Sequence, residues 1–163
     1  MITADQLALH ALGDYVLQSD WIATTKTKKS VAALAHVVTY TLPFLLVTRS
    51  PAALAVILVT HFLIDRWRLA RYVVWAKNFI GPWMCKFEKP VALAQGLPPP
   101  DAENINLVWT WYRRWNPPWA EVKDSFGYPK DRPVWLAMWL MIIVDNLMHV
   151  VCNGLALKYL GGL

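Results

Sequence analysis

The chain has 163 residues, 56% of them hydrophobic and 17% charged, with a formal net charge of +5. A soluble domain averages roughly 45–50% apolar and about 25% charged, so this composition argues against an ordinary water-soluble globule, and the length allows a single domain over residues 1–163. The basic residues mostly follow apolar segments, as membrane topology signals do, and nucleic acid is therefore not an expected partner.

The first expected helix, about 3–19, is the least apolar and carries Asp5, Gln6, His10, Asp14 and Gln18 along a polar stripe. Its start has neither a basic region nor a small-residue cleavage site, so no signal peptide is expected. The second, about 30–48, opens at a capping Ser30 and should kink at Pro43. The third, about 51–72, has Pro51 in its first turn and ends in Arg66, Arg68 and Arg71. The fourth, about 133–160, is nearly unbroken apolar sequence stopped by Gly161-Gly162. Between them, 73–132 is rich in tryptophan and proline, as a segment lying on a membrane interface would be. Cys85 and Cys152 have no metal-binding or redox spacing.

These segments predict an all-α polytopic membrane bundle of four transmembrane helices, joined by an interfacial Trp/Pro-rich cytoplasmic connection. Lys26, Lys28 and Lys29 and the basic residues of 66–132 place both long connections in the cytoplasm. Both termini are then periplasmic in a bacterial inner membrane.

All four histidines lie inside the apolar stretches, and three have an aspartate one helical turn away: His10 with Asp14, His61 with Asp65, and His149 with Asp145. Residues four apart share a helix face, so each pair offers two ligands to one point. An aspartate at mid-membrane costs about 2.5–3.5 kcal/mol, so three cost roughly 8–10. An interhelical hydrogen bond returns only about 0.6–2 kcal/mol, whereas a divalent cation neutralises two carboxylates together. The expected metal ligands are His10, His36, His61, Asp65 and His149, with Asp14 and Asp145 as further ligands or the general base. Imidazole plus carboxylate suits zinc first, then manganese or iron. Four His and three Asp exceed one tetrahedral ion, which implies two ions or outer carboxylates that orient the imidazoles. Gln18, Arg113 and Arg114 are the candidate substrate contacts, the arginines for a lipid phosphate. The competing readings are that the pairs only clamp helices together, or form an ion relay.

The segment Leu9-His10-Ala11-Leu12-Gly13-Asp14-Tyr15, followed by Gln18, Trp21 and Lys26, resembles the opening of an uncharacterised family of small bacterial and phage inner-membrane proteins. Ala35-His36, Thr60-His61-Phe62-Leu63-Ile64-Asp65 and Asp145-Asn146-Leu147-Met148-His149 resemble its later helices. The layout is also similar to that of membrane-bound metal-dependent hydrolases. Together these imply a membrane-embedded hydrolase acting on a lipid or lipid-linked phosphoester or ester at the inner leaflet. The alternative is a non-enzymatic phage or bacterial protein that acts on the host envelope through partner binding. The metal's identity and the oligomeric state are not encoded in these motifs.

Overall fold

The computed structural model describes residues 3–77, 119–128 and 133–162. Thr3 accepts a hydrogen bond from the Gln6 amide and caps α1, Ala4–Ala11. The chain then widens into a π turn, Leu12–Val16, before Ser19 caps α2, Asp20–Thr25. Helix α3, Ser30–Thr41, tightens into a 3-10 turn, Leu42–Leu46, at Pro43, where the missing N–H breaks the α ladder. Ser50 caps α4, Pro51–Trp67, which has Pro51 in its first turn. Arg68, at φ 50°, stops α4 in the left-handed region, and α5 follows over Ala70–Lys77. A short α6, Trp119–Val122, precedes α7, Val134–Leu160.

The expected four-span bundle is not what forms. Among the described residues only α7 is long and apolar enough to cross a membrane. Its 27 residues reach about 40 Å, against roughly 30 Å of hydrocarbon. The first segment breaks at the π turn and at Ser19, leaving an α1 of 8 residues, about 12 Å long. The second gives only 12 α-helical residues before Pro43. The third ends at Trp67 after 17 residues, about 25 Å. An orientation argued from four spans therefore has no four spans to act on. Most of the proposed interfacial connection, with Arg113 and Arg114, lies outside the described residues.

Helix α4 lies between α3 and α7. One apolar cluster joins Leu9, Tyr40, Phe44, Ile57 and Ala156, drawing on α1, α3, the 3-10 turn, α4 and α7. A second joins Val74 of α5, Tyr128 and Ala137 of α7. Thr48 Oγ1 donates to the Gly161 carbonyl and ties the loop before α4 to the end of α7. The other side of α7 carries an exposed stripe at every fourth residue, Trp135, Trp139, Ile143, Leu147, Val151, Leu155 and Tyr159. Its aromatics stand at the two ends, the distribution that suits the two edges of a bilayer.

Candidate metal centre

The π turn positions the first candidate ligand. It holds Asp14 buried at the inner side of the bundle, and Gly13 lets the backbone lie against the Tyr40 ring. Extra-residue turns of this type are frequent at functional sites. Helix α3 adds His36, fully buried, and α4 adds His61 and Asp65 one turn apart. In each of the three i,i+4 pairs the side chains face one another, at 3.4 Å for His10–Asp14, 3.2 Å for His61–Asp65 and 3.5 Å for Asp145–His149.

Asp14, His36, His61 and Asp65 converge so that their donor atoms lie within 4.8 Å of one another, and this buried cluster can hold a metal ion. His36 Nε2 is 3.1 Å from Asp14 Oδ1 and 3.2 Å from Asp65 Oδ2. His61 Nε2 is 3.3 Å from Asp14 Oδ1, 3.2 Å from Asp65 Oδ2 and 3.0 Å from His36 Nε2. Four ligands on a tetrahedral ion at 2.0–2.2 Å stand about 3.3–3.6 Å apart. The five separations of His36 and His61 from each other and from the two carboxylates, 3.0–3.3 Å, lie within a few tenths of an ångström of that spacing.

Burial by itself would raise the carboxyls of Asp14 and Asp65. The imidazoles of His36 and His61 against both carboxylates, and of His149 against Asp65, outweigh it and hold both well below the usual carboxylate range. The donor set is thus kept anionic, as a cation requires.

The imidazoles are oriented mainly by ring packing. His61 lies between Tyr40, at 3.7 Å between ring centroids, and His149, stacked at 3.9 Å and 22°. The Nδ1 atoms of His36 and His61 have no hydrogen-bond partner among the described residues. A metal-bound histidine usually has such a partner on its far nitrogen; here the stack supplies the alignment instead.

His10 sits one layer out. Its Nδ1 is 2.8 Å from the Tyr40 hydroxyl and its Nε2 is 2.8 Å from Asn146 Oδ1, so both ring nitrogens are engaged. Asn153 Nδ2 donates to the same Tyr40 hydroxyl, and the Tyr15 hydroxyl donates to Asn146. His149 and Asp145 join Asp65 in a second group that can hold an ion. Gln18 is half-buried, and its Oε1 has no partner among the described residues.

Lys26, expected as a topology signal, lies in the centre. Its Nζ is 2.7 Å from Asp65 Oδ2 and 3.2 Å from His36 Nε2. Tyr40 is the other residue missed. Its sequence signal was available, because it stands four residues after His36 and so shares that face of α3. Arg66 does not point into the site: it donates to the Thr27 carbonyl and to Ser30 Oγ, so Ser30 serves as an acceptor here and not as the helix cap.

No curated protein and no solved structure matches this chain. The match to a family of uncharacterised proteins takes in Asp14, Lys26, His36, His61 and Asp65, and leaves Asp145 and His149 outside it. A DUF3307 domain, described as a protein of unknown function, covers residues 2–82 of the chain.

Proposed function

We propose that the protein is a metal-dependent hydrolase whose divalent cation, zinc in preference to manganese or iron, is held by Asp14, His36, His61 and Asp65. The observation that carries this reading is the buried set of two imidazole nitrogens and two carboxylate oxygens, all within 4.8 Å of one another and contributed by three separate helical segments. Such a donor set suits borderline metals and is unsuited to magnesium, which prefers oxygen throughout. A cation there would neutralise charge that develops on a phosphoryl or acyl oxygen and, on taking water as a fifth ligand, would lower that water's pKa. Hydrolysis then needs water alone: hydroxide attacks phosphorus or carbon, the ester bond breaks, and the leaving oxygen takes up the water's proton. Asp145, partly exposed and grouped with Asp65 and His149, would serve as the general base or as a further ligand.

The surface of α7 supports a substrate class. Its exposed apolar stripe supports association with a membrane, the bacterial inner membrane in this proposal, and hence a lipid or lipid-linked phosphoester. One observation favours the rival reading of the cluster as a metal-free clamp: Lys26 already places a cation against Asp65.

Elemental analysis of the detergent-purified chain separates the two. The wild type is expected to carry metal that a chelator wash removes and added zinc restores, with hydrolysis of phosphatidate in mixed micelles lost and regained in step. His61→Ala and Asp65→Ala should lose both while still accumulating. Undiminished metal in both variants, or a folded wild type that takes up neither zinc, manganese nor iron, overturns the proposal.

A further inference from the structure

Asp65 turns its two carboxylate oxygens toward two different groups. Oδ2 faces His36 and His61, at 3.2 Å from each Nε2, while Oδ1 lies 3.4 Å from His149 Nε2. His149 Nε2 is in turn 3.5 Å from Asp145 Oδ2. Both contacts of this imidazole exceed ordinary hydrogen-bond length, and among the described residues Nε2 has no hydrogen-bond partner although the residue is 1% exposed. A buried nitrogen left without a partner and pointed between two carboxylates carries a substantial desolvation cost unless something completes it. Asp65, Asp145 and His149 bring their donor atoms within 4.8 Å of one another, as a cation would require.

We infer that the protein holds two divalent cations bridged by the Asp65 carboxylate, the second bound by Asp65 Oδ1, Asp145 and His149. This rests on the reading that the first cluster holds metal, and it divides the labour within that centre. The first site has four protein ligands, all buried, the closed arrangement of an ion that keeps its place. The second has three, one of them the partly exposed Asp145, and so leaves a coordination position for water or substrate. Paired ions about 3.5–4 Å apart are the arrangement that clamps the attacking and leaving oxygens of a phosphoryl group. Of the esters considered above, a phosphoester is therefore the substrate. The proton acceptor cannot then be a free Asp145 carboxylate, since that group is a ligand.

Manganese tests this directly on the chelator-stripped full-length chain, because two carboxylate-bridged Mn(II) ions give an exchange-coupled resonance spectrum and one gives six lines. Equilibrium dialysis against Mn(II), with metal counted by elemental analysis, should find about two ions per chain and the coupled spectrum. Asp145→Asn should bind about one, with the six-line spectrum, and His149→Gln should do the same. A wild type that binds one uncoupled ion, with a count unchanged in Asp145→Asn, overturns the second site and leaves the first standing. A wild type that binds none overturns both. The wild-type spectrum decides the matter even where a variant fails to fold.

Discussion

Replacing Lys26 with methionine keeps most of the side-chain volume and removes the ammonium 2.7 Å from Asp65 Oδ2. A divalent cation in the cluster would lie about 4 Å from that ammonium. At an effective dielectric near 20, the repulsion there is about 8 kcal/mol. Lysine and metal therefore cannot hold their places together, and metal entry must break the Lys26–Asp65 contact. A hydrogen bond between charged groups contributes about 1.5–3 kcal/mol. Lys26→Met has no such contact to lose, so its zinc affinity should rise by about 10- to 150-fold. The metal-free variant should also melt below the metal-free wild type, because Asp65, 4% exposed, loses its nearest cation. Competition titration of the chelator-stripped chain against a zinc-binding dye measures the first effect, and a thermal melt the second. Affinity that stays equal or falls would refute the idea that the ammonium and the metal compete for one carboxylate.

Three other outcomes are expected. Gly13→Ala puts a Cβ 2.4 Å from Tyr40 Cδ2, and Tyr40 is fully buried against His61, so the ring must push into the ligand stack. Urea unfolding should show a loss of about 1–3 kcal/mol together with weaker zinc binding; unaltered affinity would mean the stack does not position His61. Tyr40→Phe strips the hydroxyl that serves His10 and Asn153 and leaves both buried polar groups short of a partner, at a cost of about 1–3 kcal/mol in the same assay, with metal stoichiometry retained. The full chain should resist alkaline carbonate extraction from bacterial membranes. Leu147→Arg, on the exposed stripe of α7, should lower the retained fraction, since an arginine at the centre of a span costs about 2.5–3.5 kcal/mol.

The site was legible to the extent that its ligands come in local pairs. His61 and Asp65 sit one turn apart on α4, and spacing alone puts them on one face. Spacing cannot say which pair meets which. The convergence of Asp14 with His36 and His61 depends on a π turn that the periodicity of residues 3–19 does not announce. Lys26 was misread for a physical reason: a lysine in a basic loop has the same sequence signature whether it faces lipid phosphates or reaches back to a buried carboxylate. Pro51 marks the first turn of α4 and Pro43 the end of α3, whereas Ser30 does not cap and the first expected helix breaks in pieces. The number of crossings was overstated, because apolar composition was taken as continuous length. Ser19, which caps a new helix, and Pro43, which forces a 3-10 turn, each carried the information that the segment stops short.

The connection between α2 and α3 is anchored by neighbouring residues of a single helix turn. Asp65 takes the Lys26 ammonium, while Arg66 reaches the Thr27 carbonyl at 2.9 Å and Ser30 Oγ at 3.2 Å. Only the first of these ties competes with an incoming ion. When it breaks, the guanidinium still holds the backbone, so Lys26 can leave Asp65 while the Thr27 carbonyl stays bound.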